Sequence, residues 1–316
     1  MAITLNWTNK NPGTSNIKIY RGNSYNSLTL LTTLASSVSS YVDATAVNNK
    51  LYYYQVNVVI GGADEIPGAI LPMARYLDTG PGPQALAAGD MEWGYFGQLP
   101  VASFVSATDL NTVFNVGTVH TAPTIWYKLA CQGKVIFVPN TTPRYLNGTS
   151  PLTGLNAAYA AGLLYGTGDN GKPHASLTAG ATPVLQNKKI VNGSYEFYVR
   201  LPKGAATNAT DVNSELSSGS YGYEPVYSEA SLIASINGAF QPNPALMVSR
   251  KLPPKVFGYN ASNAVAAQTF LTQHWSSNAM VITATTSNSP GLCLAGLTSG
   301  SSSSAILLPV LELIPG

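Results

Sequence analysis

Asp90 and Glu92 stand two residues apart beside Trp93, Tyr95 and Phe96, in the stretch DMEWGYF. Two carboxylates next to aromatic platforms could cleave a glycosidic bond, one protonating the leaving oxygen and the other attacking or activating water. Strand alternation would set both on one face, and nothing nearby supplies a second wall for a sugar ring, so surface carboxylates beside a core edge are the expected outcome. Gly166 to Lys172, GTGDNGK, has the glycine and lysine spacing of a phosphate loop. Such a loop needs Ser or Thr next, and a helix whose first amides face the phosphate. Pro173 follows instead, Asp169 would repel the phosphate, and the helical pattern lies before the loop. A tight Asp-Asn-Gly turn is expected there.

His120, His174 and His274 are far apart, and none sits in a local cluster with Cys or Asp. Three histidines could converge on zinc, but loop or surface positions are the expectation. No G-x-S-x-G elbow is present. The residues therefore predict no catalytic group, no cofactor and no metal, hence a protein that is not an enzyme. Recognition is a better fit. The chain has 18 tyrosines against eight phenylalanines, and rings with a polar tip, set among Asn and Ser, give contact area at low entropic cost. Tyr221, Tyr223 and Tyr227, with Trp275, form the candidate recognition surface for sugar or protein; the plainer alternative is tyrosines half buried at strand edges or subunit contacts.

Composition narrows the partners. Only 9% of the residues are charged, against roughly 25% in an average soluble protein, so neutral hydrogen-bonding groups must cover the surface. Sixteen basic residues against 14 acidic ones leave a net charge of +2, with no basic run for nucleic acid and none for an anionic membrane. The longest apolar stretch, 305–314, is broken by Pro309 and Glu312 and is far short of the roughly 20 residues that span a bilayer. The start, MAITLNWTNKNPG, lacks a basic segment and an apolar core, so synthesis and folding in a cytoplasm are expected. Cys131 and Cys293 are expected as reduced, buried thiols.

Residues 3–59 read as short strands parted by turn clusters: ITLNW, NIKIYRG, LLTTLA, SSYVD and LYYYQVNVV. In the last, Tyr52, Tyr54, Val56 and Val58 alternate with Tyr53, Gln55 and Asn57, the pattern of a strand with one wet face. ITLNWT, IKIYRG, SSYVDATAVNNK and LYYYQVNVV, in this order, resemble the B, C, E and F strand regions of a fibronectin type III module. That resemblance covers about a quarter of the chain. It implies an immunoglobulin-like β-sandwich over residues 1–76, with Trp7 and Tyr20 in its core and Tyr52 as its tyrosine corner. Such modules imply spacing, docking or adhesion. A Pro/Gly-rich passage then marks a linker or strap at 77–89.

The remaining residues, 90–316, predict a larger α+β domain rich in antiparallel strands, so the chain as a whole is expected to be mainly β. Its strongest burial signal runs from Ile125 to Gly166. There VIFVP is a buried strand ended by its proline, and Leu155, Ala158, Tyr159 and Leu163 are spaced as one face of a short helix. Thr108 is placed to cap a helix in ATDLNTVFN. Tyr195 to Leu201 reads as a strand closed by Pro202. EASLIASIN and NAVAAQTFLTQHW are helix candidates, and AMVITATT and AILLPVLELIPG are late strands turned by the tract 299–304.

The order WYKLACQGKVIFVP, PRYL, AYAAGLLYG, YEFYVRLPKG and PVLELI is similar to structural proteins of tailed-bacteriophage particles. The resemblance implies a virion protein of the tail-fibre or appendage type, in company with other virion proteins. It is expected to form a homo-oligomer, with a trimer favoured, and to contribute to host attachment, with a host surface glycan as a candidate partner. A capsid decoration protein is the alternative, and a polysaccharide-binding or -degrading protein the second. Neither nucleic acid nor membrane insertion is expected.

Overall fold

The computed structural model describes residues 2–76, 78–114, 118–119, 122–140, 144–145, 159–163, 166, 184–202, 229, 232–233, 268–275, 278–283, 293–297, 306–307 and 309–316. The described chain is mainly β, built from several antiparallel sheets. It divides into two compact units: residues 1–79 with 90–93 and 130–134, and residues 80–89, 94–129 and 135–316. This division differs from the expected 1–76, 77–89 and 90–316, because the Pro/Gly passage from residue 80 onward belongs to the second unit.

The first unit contains β1 (Ile3–Asn6), β2 (Thr14–Gly22), β3 (Thr29–Ala35), β4 (Ser40–Asp43), β5 (Leu51–Ile60), β6 (Asp64–Ile66) and β7 (Ile70–Ala74). β1 pairs antiparallel with β4, while β3, β2, β5 and β6 follow one another in a second sheet and β7 pairs with β5. Alternation explains the core: Ile3 and Leu5 from β1, Ile17 and Ile19 from β2, and Tyr52 and Tyr54 from β5 are buried together with Ala46. Trp7, Val56 and Val58 pack against this cluster half-buried. The Tyr52 hydroxyl accepts the backbone N–H of Val47 at 3.2 Å, a tie to the chain five residues upstream.

Two expectations fail here. Tyr20 is not in the core: it lies on the face of β2 shared with Lys18, where its hydroxyl bonds Glu65. Nor is the other face of β5 wet, since Tyr53, Asn57 and Val59 are all buried. The Tyr53 hydroxyl donates to Glu92 and the Asn57 amide to Glu65, while the Asn57 carbonyl accepts the Gly68 N–H, ties that alternation alone does not foresee.

The second unit holds β8 (Ala88–Gly89), most of β9 (Trp93–Pro100), α1 (Ala107–Phe114), β10 (Thr118–Val119), most of β11 (Ile125–Cys131) and of β12 (Lys134–Pro139), β13 (Arg144–Tyr145), β14 (Lys189–Asn192), β15 (Tyr195–Arg200), β16 (Gln268–Trp275), β17 (Asn278–Thr283), β18 (Cys293–Leu297), β19 (Ile306–Leu307) and β20 (Val310–Ile314). One sheet runs β14-β15-β20-β12-β11-β9-β8, and another runs β10-β13-β19-β16-β17-β18. The near-continuous apolar runs of β11 and β12 are buried on both faces, as their composition predicts. Phe104, Trp126, Phe137 and Phe197 form an aromatic core with ring centroids 4.8 to 5.4 Å apart. The Trp126 indole N–H donates to the Val105 carbonyl at 2.8 Å, so its polar tip is satisfied within that core.

α1 is capped by Ser106, not Thr108. The Ser106 Oγ accepts the Asp109 N–H at 3.2 Å, and the Asp109 carboxylate accepts the Ser106 N–H at 2.8 Å. That reciprocal box fixes the start one residue before Ala107 and leaves Thr108 in the first turn. The helix expected over NAVAAQTFLTQHW is also corrected, because residues 268–275 are strand β16, paired antiparallel with β17. Thr269, Phe270, Thr272 and Trp275 favour a pleated surface, and cross-strand pairing overrides the helical preference of the alanines before them. Tyr159 and Ala160 are helical, as are Glu229, Leu232 and Ile233; Leu155 and Ala158 lie outside the described residues.

Candidate functional site

The carboxylates nearest to a reactive arrangement are tied into the first unit. Asp90 folds back on its own chain, its Oδ1 accepting the N–H groups of Glu92 at 2.9 Å and of Trp93 at 3.0 Å. That is a turn-making role, and it removes Asp90 from the shared strand face that alternation implied. Glu92 is buried, and its two oxygens accept different phenols: Oε1 from Tyr53 and Oε2 from Tyr25, both at 2.9 Å. The two rings lie 4.4 Å apart between centroids. A carboxylate with both oxygens engaged by hydroxyls is an anchor for two tyrosines.

Two further carboxylates organise the same unit. Asp43 is fully buried, receiving Arg21 Nη1 at 2.6 Å, the Tyr54 hydroxyl at 2.7 Å, and both the N–H and hydroxyl of Thr45 at 2.9 and 2.7 Å. Burial pushes its carboxyl up, but these donors together hold it below the usual carboxylate range. The Tyr54 phenol moves the opposite way, raised by burial and by its bond to Asp43. Glu65 binds Lys18 Nζ and Asn57 Nδ2, each at 2.7 Å. Lys18 first, then Asn57 and Tyr20, bring its carboxyl down to about 2.

Among the described residues of the second unit, Arg200 and Lys128 are buried cations. Arg200 meets Glu229 through both terminal nitrogens, at 2.6 and 2.7 Å, and Glu312 through Nε at 2.8 Å. Burial opposes its charge, but the two carboxylates outweigh that and hold the guanidinium above its already high ordinary value. Lys128 sends Nζ to the carbonyls of Gly80 at 3.2 Å and Pro83 at 2.7 Å, with the Phe96 ring centroid 5.0 Å away. The Pro/Gly passage is thus stapled to the sheet by a buried ammonium.

Tyr221, Tyr223 and Tyr227 lie outside the described residues, so the candidate recognition surface is represented only by the backbone of Trp275, opposite Asn278 at the end of β16. His120 and His174 also lie outside them, and His274 sits in β16 opposite Ala279. Gly166 has a φ of 69°, suited to a turn; residues 167–172 lie outside the described residues. Cys131 is buried in β11, and Cys293 opens β18. Among the described residues no group of three or more His, Cys, Asp and Glu is placed to hold a metal, and no helix is long and apolar enough to cross a membrane. The Glu92–tyrosine and Arg200–glutamate networks escaped the sequence because their partners are up to 67 and 112 residues apart. Only the run of three tyrosines at 52–54 hinted that one of them must face a buried acceptor.

No protein-family model matches the chain, and no curated protein matches it. Among solved structures it is similar to the pectate lyase Pel3 from Pectobacterium carotovorum, at 21% identity over 27% of this chain and 28% of that one, with a TM-score of 0.22. It is similar also to the pectate lyase PelI from Erwinia chrysanthemi, at 21% identity over 25% of this chain and 26% of that one, with a TM-score of 0.22. The chain spans about a quarter of the length of these lyases. Likeness at this level carries no argument about activity.

Proposed function

We propose that this chain is a non-enzymatic structural protein of a tailed-phage particle. It acts as an oligomeric fibre, collar or baseplate appendage that contributes to host attachment. The observation that carries this reading is the use made of the carboxylates: Asp90, Glu92, Asp43, Glu65, Glu229 and Glu312 each bind internal donors. The acidic pair that suggested sugar cleavage is spent on a turn and on two tyrosines. With 9% charged residues overall, such a chain suits side-by-side packing of many copies without long-range repulsion.

The pairing of β1 with β4, and the order β3-β2-β5 with β7 beside β5, support a fibronectin type III reading of the first unit. Its two sheets share one core, and Tyr52 is tied back to the chain before it. A module of that kind serves as a spacer or a docking unit. The test is peptide mass spectrometry of gradient-purified particles from a lysate. Several copies of the chain per particle are expected, and particles free of the chain would refute the reading.

A further inference from the structure

The backbone of β1 has one side in use and one side open. Its register with β4 sets Ile3 opposite Asp43, Thr4 opposite Val42, Leu5 opposite Tyr41 and Asn6 opposite Ser40. The Trp7 N–H continues that ladder to the Ser39 carbonyl at 3.0 Å. In an antiparallel ladder alternate residues carry the bonds, so Ile3, Leu5 and Trp7 turn their N–H and C=O groups toward β4. Thr4 and Asn6 turn theirs the other way. Both are exposed, and β1 has no second neighbour among the described strands.

The other sheet of this unit guards its edges. β3 is bulged where its register with β2 slips, between the partners of Ile19 and Tyr20. β6 carries Asp64 and Glu65, and β7 carries Pro72. Bulges, charges and prolines are the ordinary devices that stop a sheet from accepting another strand. β1, reading ITLN, has none of them, and its pairing with β4 runs without a bulge.

We infer that the open edge of β1 is a subunit contact that pairs antiparallel with β1 of a second copy, about a two-fold axis through Leu5. This rests on the reading of the chain as an assembling structural protein, and it names the surface involved. The two-fold puts Thr4 of one copy opposite Asn6 of the other, so all outward-facing backbone groups of these residues find partners. Leu5 faces Leu5, and Ile3 faces Trp7, which prolongs the apolar inner row. Trp7 is half-buried, and its indole nitrogen is buried with no hydrogen-bond partner among the described residues, so the row is incomplete at that end. Residues 2–9 carry no ionisable side chain, so identical strands meet without like-charge repulsion, whereas a charged partner strand would find no complement. Two two-stranded sheets, each at the lower limit of useful size, become one of four strands. Four strand residues a side bury less than the roughly 1,000 Å² expected of a stable isolated dimer. The contact is therefore reversible in dilute solution and reinforced by copy number on a particle.

Register-specific disulfide trapping of the full chain tests this directly. Thr4→Cys and Asn6→Cys chains are made separately, each with Cys131→Ala and Cys293→Ala, and are oxidised alone or mixed. A hydrogen-bonded antiparallel pair has Cα atoms about 5.5 Å apart, within disulfide reach, whereas two copies of either cysteine alone lie two residues out of register. A linked dimer at least tenfold more abundant in the mixture than in either chain alone is expected. Equal or absent linkage would overturn the proposal, including the outcome in which β1 pairs with β4 of the next copy. In the otherwise native chain, Thr4→Pro removes an outward N–H and is expected to shift concentration-dependent association, read by sedimentation equilibrium, at least tenfold higher. Trapped dimers of a chain missing from purified particles would sink the virion reading alone, and particles that carry the chain without trapping would sink this inference alone.

Discussion

At the scale of single residues, charge in this protein is scarce and tied down, which makes its titration informative. Glu65 is held at about 2 by Lys18, Asn57 and Tyr20, and Asp43 is also depressed by its donors against the effect of burial. A carboxyl whose folded pKa lies below its unfolded value of about 4 contributes stability above that value and loses it as pH falls toward the folded pKa. The urea midpoint of the first unit should therefore drop between about pH 5 and pH 2.5, and Glu65→Gln should flatten part of that slope. An unchanged slope in Glu65→Gln would remove Glu65 from the account. Arg200→Met takes the guanidinium away from buried Glu229 and Glu312, and should cost about 3–5 kcal/mol in denaturant unfolding. Adding Glu229→Leu and Glu312→Leu should restore much of the loss, because the desolvated carboxylates go too. None of these partnerships was legible in the sequence. Glu92 gave a local signal, an acidic residue beside aromatics, but its phenols lie 39 and 67 residues away.

At the scale of elements, short runs of apolar and aromatic residues were the informative pattern. β5, β12 and β15 fall on LYYYQVNVV, VIFVP and YEFYVR, because such runs and terminal prolines are local properties. Where a local preference opposed a distant partner, the partner won: β16 is a strand because β17 pairs with it. The Pro/Gly passage looked like a linker because its hold on the second unit runs through a lysine some 45 residues on. Lys128→Met should free that passage and raise its cleavage rate in limited proteolysis, mapped by mass spectrometry to residues 80–87; equal rates would deny the staple. Gly82 has a φ of 82°, and an added Cβ would stand 2.6 Å from Leu99 Cγ. Gly82→Ala should destabilise the second unit by about 1–3 kcal/mol or more from backbone strain alone, read as a lowered thermal midpoint.

At the scale of the whole molecule, a chain with few charges, tyrosine-rich strands and an unguarded edge on β1 is read as one part of a larger assembly. Composition favours that reading, since neutral surfaces suit packing of copies. Under the proposed function, neighbouring proteins would set the chain's place on a particle. The most direct measurement is therefore immunogold electron microscopy of particles from a lysate, with antibody against the first unit. Gold at the tail or neck is the predicted result. Gold spread over the head would replace the appendage with a shell-decorating role, and particles without gold would contradict the structural reading itself.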